Sequence, residues 1–412
     1  LIPLFLGLFY GFATLCSSFF KLKKNFSSIL IFSFFLSLIE YLKSFILGGF
    51  PWNLIAYSFV DYLEMIQILS FTGTYAFNLL SITFYLIPVI IFFNYKKKIK
   101  LFSLSFAILL LFINFFYGSI NIKNNEKIKK TDLDFTIKIV SPKINIKRFF
   151  QNEQPEKRIL ELVKLSKPNN LEKAIFIFPE GVLSNIYLQD IKNYNYIFSE
   201  NFSKKHKIIL GINSFEKSKI YNSMVVFDKD LNIEAKYNKN KLVPFGEYLP
   251  FENLFRKFGF KKITQGYQSF SSDYERKLFN FNDIGFLPLI CYEIIYSGKI
   301  NRNNQNFDFI INISEDGWFG DTVGPYQHFS HSIFRSIEEG KNTIRSANNG
   351  ISAFINPKGQ IINKLKSTNK GVIELKSFEQ VKKTIFSTYG NKIFFYFLLF
   401  YISLFFFFKR GR

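Results

Sequence analysis

Three side chains of types used in covalent catalysis lie where the sequence predicts strand ends or a constrained turn. Cys291 ends the apolar run 286–290, and Glu180 follows the apolar run 174–178 after a single proline. Reactive groups in α/β sheets are commonly presented at the carboxyl ends of strands. Lys239 precedes a short segment in which Pro and Gly restrict the backbone. Together, a thiol, a carboxylate and an ammonium could supply the nucleophile, the base and the oxyanion-stabilising cation that acyl transfer requires.

Other interpretations of the same residues remain open. A single cysteine can be a small buried hydrophobe, Glu180 a solvated loop acid, and Lys239 one more lysine in a lysine-rich chain. A histidine is the more usual activator of a thiol, and His206 lies in a polar loop. His328 and His331 are three apart on a predicted helix, a spacing that suits a metal. No HExxH motif or cysteine-rich ligand set accompanies them, so we expect no metal site.

Composition indicates a membrane protein more strongly than a nucleic-acid-binding one. The 412 residues include 56 Phe, far more than a soluble core needs, so much of this aromatic surface must face lipid. The formal net charge is +22, but the lysines are scattered rather than clustered, and we expect no nucleic-acid partner. The two cysteines, Cys16 and Cys291, provide no disulfide framework because Cys16 lies in an apolar run.

Five apolar segments are long enough to cross a hydrocarbon core of about 30 Å. They are residues 1–20, 28–48, 70–93, 101–118 and 391–408. The first could be a signal peptide, but its length and the hydrophobic segments behind it favour a membrane span. Because the chain begins with Leu inside an apolar segment, we expect that leading spans are missing from it.

Basic clusters predict the orientation of these spans. They follow the first, third and fifth segments: Lys21, Lys23 and Lys24; Lys96, Lys97, Lys98 and Lys100; Lys409, Arg410 and Arg412. Short loops rich in Lys and Arg stay in the cytoplasm. The alternation therefore predicts that residues 49–69 and the long interval 119–388 lie outside the cytoplasm.

The long interval is predicted to be one α/β domain, because short apolar strands recur between helical stretches. The predicted strands are 135–140, 174–178, 208–212, 221–227, 286–290 and 309–313, and the predicted helices are 156–166 and 326–339. The expected organisation is a helical membrane bundle in 1–118, with four visible spans, a catalytic domain in 119–388, and a membrane helix with a basic cytoplasmic tail in 389–412.

The chain resembles a known family at these residues. Pro179-Glu180, Lys239 with 242–247, and Cys291-Tyr292-Glu293 occur in the order of the Glu-Lys-Cys triad of the nitrilase superfamily. Further matching segments are Phe50-Pro51-Trp52, 316–321, 324–328 and 345–350. With the membrane spans, these segments make nearly the full length similar to the bacterial apolipoprotein N-acyltransferases.

This resemblance implies a four-layer αββα domain on the periplasmic face of the inner membrane, set on a helical bundle that admits lipid laterally. It implies no cofactor and a ping-pong reaction. Cys291 would take an acyl chain from a phospholipid, release a lysophospholipid, and pass the chain to the α-amino group of an apolipoprotein's diacylglyceryl-cysteine. Attachment to a bilayer suits this chemistry, because moving an acyl chain from hydrocarbon into water costs about 0.8 kcal/mol of free energy per CH₂.

The resemblance also implies individual roles near the nucleophile. Glu180 would be the general base, and Lys239 would stabilise the tetrahedral oxyanion and lower the pKa of the thiol. Glu247 would orient Lys239 or assist proton transfer. Tyr292 and Glu293 match positions that the family uses beside the nucleophile, although Glu293 could instead form a salt bridge at the strand end.

Four aromatic residues are candidates for binding substrate. Trp318 and Phe319 could shape a lipid cleft or simply pack. Phe149 and Phe150 stand where the family usually has a tryptophan in a mobile loop.

Two rival functions remain. A membrane-anchored amidase or hydrolase of nitrilase type would use the same triad, with water rather than an amine resolving the acyl-enzyme. A noncatalytic scaffold or permease is the other. The spans carry few charges, among them Glu40 and Lys43 near one end, whereas transport pathways usually contain ionisable groups.

Overall fold

The computed structural model describes residues 2–124, 129–151, 154–184, 186–257, 259, 269–301 and 305–410. Arg412, which the sequence assigns to the basic tail, lies outside the described residues. The helices are α1 Ile2–Ser18, α2 Phe26–Lys43, α3 Leu63–Ile66, α4 Leu69–Leu86, α5 Lys97–Lys123, α6 Pro155–Ser166, α7 Asn195–Asn201, α8 Glu252–Lys257, α9 Gly324–Glu339, α10 Ile385–Tyr389 and α11 Lys392–Arg410. The strands are β1 Lys129–Ser141, β2 Ala174–Ile177, β3 His206–Glu216, β4 Lys219–Phe227, β5 Ile233–Asn238, β6 Phe279–Phe281, β7 Ile284–Ile290, β8 Phe309–Glu315, β9 Asn342–Asn348, β10 Ser352–Ile355, β11 Ile361–Leu365 and β12 Gly371–Gln380.

Within the described part of the chain, four helices are long and apolar enough to cross a membrane. They are Phe26–Lys43, Leu69–Phe92, Lys97–Lys123 and Lys392–Lys409. The first predicted segment forms α1, which is apolar but has 17 residues, fewer than the roughly 20 that a perpendicular span needs. The predicted segments therefore all become apolar helices, four of them of spanning length.

The bundle packs through large apolar side chains of α2, α4 and α11, among them Leu30, Leu79 and Leu398. Gly73 breaks the regular helix near the start of α4, with φ of 67°. The ring of Phe386 from α10 lies against this glycine and occupies the space that a β-carbon would need. The break therefore lets α10, which follows the α/β domain, pack closely on a membrane helix.

The α/β domain contains two six-stranded sheets. Their strand orders are β12-β1-β2-β3-β4-β5 and β11-β10-β9-β8-β7-β6. All six predicted strands and both predicted helices of the domain are confirmed, and β5, β6 and β9 to β12 are additional. The predicted helical bundle and the predicted α/β domain are confirmed.

Alternating side chains bind the two sheets into one core. Ile175 and Ile177 of β2 face the second sheet, where they meet residues such as Ile311. Ala174 and Phe176, which alternate with these two residues along the strand, face the layer that contains α6 and α7. On the far side of the second sheet, α9 packs its apolar face against β10. Because successive strand residues point to opposite faces, this pattern produces helix, sheet, sheet and helix layers.

Parallel pairing determines where the candidate residues meet. β2 pairs in parallel with β1 and β3, and β7 pairs in parallel with β8. Carboxyl ends of parallel strands lie at one edge of a sheet. With the two sheets stacked face to face, the segments after β2, β7 and β8 converge on one cavity.

Candidate active site

Cys291 begins the tight turn Cys291–Ile295 directly after β7. Its φ is 51°, a left-handed conformation that costs energy in any residue with a β-carbon. Its backbone oxygen accepts a hydrogen bond from Asn312 Nδ2 at 3.3 Å. The side chain of Glu293 accepts a bond from the Ile290 amide at 2.8 Å and closes the turn. The strand end therefore holds the sulfur in a fixed, strained position.

Glu180 lies after β2 and is 8% exposed. Its Oε2 accepts the backbone amide of Glu315 at 2.9 Å, and its Oε1 accepts Asn222 Nδ2 at 2.7 Å. A β-carbon on Gly211 would lie 2.7 Å from the α-carbon of Glu180. Only glycine therefore allows β3 to approach this carboxylate so closely.

Lys239 follows β5 and is 1% exposed. Its Nζ lies 2.9 Å from Glu247 Oε1 and 3.4 Å from Glu180 Oε1. Burial lowers the pKa of this ammonium, but the charges of Glu180 and Glu247 outweigh burial and leave the pKa well above its ordinary value. Lys239 is therefore a permanent cation between two carboxylates.

The surroundings favour the charged form of Lys239, but they favour the neutral form of the Cys291 thiol. Burial raises its pKa, and Glu180 raises it further, whereas Lys239 lowers it. Lys239 therefore lowers the pKa of the thiol, as the family resemblance implies, but by less than burial and Glu180 raise it. The resting sulfur is therefore a neutral thiol that needs a base.

Glu180, Lys239 and Cys291 all line one cavity of about 500 Å³. Clefts of roughly 300 to 1,000 Å³ are typical of small-molecule sites. Phe50 and Trp52, from the loop after α2, line the same cavity. Its wall therefore comes from both the α/β domain and the membrane-associated part of the chain.

The supporting residues predicted from sequence occupy different places. Glu247 and Tyr292 line the cavity with the triad. The Tyr292 hydroxyl donates to the carbonyl of Gly49, which ties the nucleophile's turn to the loop after α2. Glu293 is not among the residues that line the cavity, and it pairs with Arg276 at 2.8 Å. For Glu293 the geometry favours the structural alternative, a buried salt bridge at the strand end.

Of the four aromatic candidates, three line the cavity and one does not. Trp318, Phe319 and Phe149 line the cavity, and Phe149 stacks on Trp318 with ring centroids 5.2 Å apart. Phe150 meets the same indole edge-on at 6.4 Å but is 60% exposed and is not a lining residue. An aromatic lining of this kind suits a hydrophobic substrate better than a small polar amide.

Two family models match this chain. The carbon-nitrogen hydrolase model matches residues 159–376, and the model of the apolipoprotein N-acyltransferase N-terminal domain matches residues 1–87. Apolipoprotein N-acyltransferase of Rickettsia prowazekii is 32% identical over 95% of this chain and 78% of its own length. The chain belongs to the apolipoprotein N-acyltransferase family.

A second relative and one solved structure were also matched. Apolipoprotein N-acyltransferase of Agrobacterium fabrum is 32% identical over 90% of this chain and 71% of its own length. Among solved structures, glutamine-dependent NAD⁺ synthetase from Acinetobacter baumannii matches with a TM-score of 0.43 and 16% identity, over 62% of this chain and 48% of that one.

Several residues near the site escaped the sequence-based prediction. Asn222 bridges Glu180 and Glu247, with Nδ2 distances of 2.7 and 2.9 Å. Arg148 forms a buried ion pair with Glu315 and donates from Nε to the Gly181 carbonyl at 3.0 Å. Through these bonds the segment that carries Phe149 is fastened to the turn that carries Glu180. Asn222 is a polar residue within the largely apolar strand β4, and this pattern is the signal that could have identified it from the sequence.

Behind Cys291 lies a buried polar cluster of Asp316, His328 and Arg345. Asp316 accepts from Arg345 Nη2 at 2.8 Å, and His328 Nδ1 lies 2.9 Å from Asp316 Oδ1. His328 Nε2 lies 3.2 Å from the backbone oxygen of Cys291. Burial lowers the pKa of His328, and the neighbouring Arg345 lowers it further. The neutral imidazole therefore contacts the nucleophile's backbone rather than its sulfur, which does not match a Cys-His dyad.

Proposed function

We propose that the chain transfers an acyl chain from a phospholipid, through a thioester on Cys291, to the α-amino group of an apolipoprotein's diacylglyceryl-cysteine. Family membership supports the acyltransferase activity. The observation that carries the mechanism is the convergence of a buried neutral thiol, a carboxylate and a permanent cation on one cavity. In this proposal, residues 119–388 form the catalytic domain outside the cytoplasm, and residues 1–118 and 389–412 attach it to the inner membrane.

In the first half-reaction, Glu180 takes the proton of the thiol while the sulfur attacks the ester carbonyl of the phospholipid. The resulting tetrahedral oxyanion is stabilised by Lys239. When the intermediate collapses, the carbon–oxygen ester bond breaks, and Glu180 returns the proton to the departing glycerol oxygen. The products are a lysophospholipid and a thioester on Cys291.

In the second half-reaction, the α-amino nitrogen attacks the thioester, and Glu180 accepts one of its protons. Collapse breaks the carbon–sulfur bond, forms the amide and returns the proton to sulfur. Glu247 and Asn222 hold Lys239 and Glu180 in place through both halves. The same groups therefore serve both steps, because an oxyanion that Lys239 can stabilise develops in each of them.

The cavity wall supports the choice of a lipid donor. Trp52 donates from its indole to Gln327 Oε1 at 2.7 Å, so the loop after α2 is bound to the start of α9 at the cavity. Aromatic rings of both Phe50 and Trp318 face the triad's cavity. An acyl chain can reach the sulfur from the membrane while remaining among apolar side chains, which reduces the hydration cost of the transfer.

The test supplies the purified chain with phospholipid and a synthetic diacylglyceryl lipopeptide that has a free amino terminus. Mass spectrometry should show the lipopeptide heavier by one acyl group. Cys291→Ala should remove this product, and the matched variant Cys16→Ala, which changes the other cysteine in α1, should retain it. Release of free fatty acid with an unmodified lipopeptide would instead establish the hydrolase.

A further inference from the structure

A second cavity of about 870 Å³ lies between α4, α5 and the segment before α11. None of the described residues that line it lines the active-site cavity. The two cavities meet opposite ends of α9, at Ile337 and at His328. Nine residues of helix separate these positions by about 14 Å. The second cavity is therefore a separate site rather than an extension of the first.

Its side walls are apolar and belong to two membrane helices. The wall from α5 comprises residues that mostly lie one helical turn apart on one face: Ala107, Leu110, Leu111, Ile113, Asn114, Tyr117 and Asn121. Among the residues of α5, the structure buries Ala107 and Gly118. The inner face of α5 is therefore held away from α4 for most of its length instead of packing on it.

The depth of the cavity suits an acyl chain. Lining residues on the opposite wall run from Ile68 to Ile87. Beyond the break at Gly73, the part from Phe77 to Ile87 corresponds to about 15 Å of helix, which is also about the depth of one leaflet of a hydrocarbon core. A chain that fills one leaflet therefore fits within the walls.

The end of this cavity next to the α/β domain is lined by polar residues that are joined by hydrogen bonds. Asn121 Nδ2 donates to Gln67 Oε1 at 3.0 Å, and Gln67 Nε2 donates to the Lys358 carbonyl at 2.9 Å. Lys358 Nζ donates to the carbonyl of Asn124 at 3.0 Å, just past the end of α5. The end of α5 is thus fastened to the domain, which keeps this end of the cavity in shape.

The charge at this end is positive. Lys358, Lys382 and Lys383 all line the cavity, and no carboxylate does so among the residues that the structure describes. Lys382 and Lys383 are exposed, so their ammonium groups can meet a headgroup at the membrane surface. The nearby carboxyl of Glu339 interacts electrostatically with Lys383 but lies outside the lining.

We propose that this cavity binds a phospholipid with a net negative headgroup, with an acyl chain between α4 and α5 and its phosphate beside Lys382 and Lys383. The site is independent of the acyl-transfer reaction. Its occupant fills the space between two helices that otherwise pack loosely and so stabilises the bundle beneath the α/β domain. Basic residues at a membrane surface strengthen the binding of anionic lipid by about fivefold each.

The experiment uses the full chain in phosphatidylcholine nanodiscs with a small fraction of phosphatidylglycerol that carries a diazirine in one acyl chain. After illumination, labelled positions on α5 are mapped by mass spectrometry. We expect labelling of the inner face, at Leu110, Leu111 and Asn114, to exceed labelling of the outer face at Phe112 and Phe116, which are 56% and 60% exposed. A phosphatidylcholine probe with the same diazirine should label the inner face several-fold less.

Two pairs of variants test the headgroup and the chain separately. The double variant K382Q/K383Q should reduce inner-face labelling by about tenfold or more, whereas K364Q/K366Q, which changes exposed lysines near β11, should not. Ala107→Trp should fill the cavity and remove the inner-face label, and Phe112→Trp on the outer face should retain it. The lysine variants change surface residues and leave the test valid if Ala107→Trp fails to fold.

Equal labelling of the two faces would overturn the proposal. An inner face that no lipid probe labels would overturn it too, because a protein segment would then be the occupant. Equal labelling by both probes, or no effect of K382Q/K383Q, would refute recognition of a negative headgroup.

Discussion

Replacement of Lys239 by glutamine tests the electrostatic basis of the proposed mechanism. The variant removes the buried cation that lies 3.4 Å from Glu180 and 2.9 Å from Glu247, while it keeps much of the side-chain volume. Two effects follow. The tetrahedral oxyanion loses its charged partner, and two carboxylates that share Asn222 are left in a buried site without a neighbouring ammonium.

The expected loss of kcat can be worked out from these distances. At an effective dielectric constant of about 20, a pair of unit charges 3.4 Å apart interacts by about 5 kcal/mol. Without that interaction, the two carboxylates repel each other in a buried site that has lost its neighbouring cation. Loss of an oxyanion partner alone costs about 3 to 4 kcal/mol in the transition state, or about 100-fold to 1,000-fold in rate. We therefore expect Lys239→Gln to lower kcat by at least about 100-fold.

The assay measures single-turnover formation of the acyl-enzyme from labelled phospholipid, and in parallel the kcat and KM of transfer to the lipopeptide. Lys236→Gln is the matched control, because Lys236 lies on β5, just before Lys239, but pairs with Glu216 and does not line the cavity. It should react at nearly the original rate. A loss below about tenfold for Lys239→Gln would show that its charge does not act on the oxyanion, and would demote it to a packing role.

Three further predictions concern the thiol, the base and the nucleophile's backbone. Since burial raises the pKa of Cys291, its alkylation by iodoacetamide should accelerate about tenfold per pH unit up to pH 9, and a plateau below pH 8 would contradict a neutral resting thiol. Gly211→Ala should displace Glu180 and lower kcat by about 100-fold, whereas Gly11→Ala, where a β-carbon meets nothing within 4 Å, should have little effect; similar activities of the two variants would refute the close-approach explanation. His328→Gln should lower kcat by about tenfold with little change in KM, and a rise in KM at constant kcat would show that His328 does not position the nucleophile.

Much of the fold could be predicted from the pattern of apolar residues, because long apolar segments and short apolar runs are local signals. The strands before Glu180 and Cys291 are such runs. By contrast, β9 is entirely buried yet has the polar sequence Asn-Thr-Ile-Arg-Ser-Ala-Asn, so it has no apolar periodicity to reveal it. Its Arg345 and Asn348 are buried because they bond to Asp316 and Glu315, which are distant in sequence.

The candidate site was predictable only in part, for the same physical reason. Glu180 and Cys291 could be found as polar residues at strand ends, whereas Lys239 was distinguished from the other lysines by resemblance to a family. The roles of Asn222 and His328 depend on contacts between segments far apart in the chain. The break in α4 at Gly73 likewise depends on the ring of Phe386, which hydropathy does not report.

The proposed mechanism predicts a covalent intermediate that can be isolated. The chain should be incubated with phospholipid labelled in its acyl group, without acceptor, and the label located by peptide mapping. The predicted result is one hydroxylamine-sensitive label on the peptide that contains Cys291, which disappears with release of acylated product when the lipopeptide is added. Formation of that product with no label on Cys291, or with the label on another residue, would contradict the central claim.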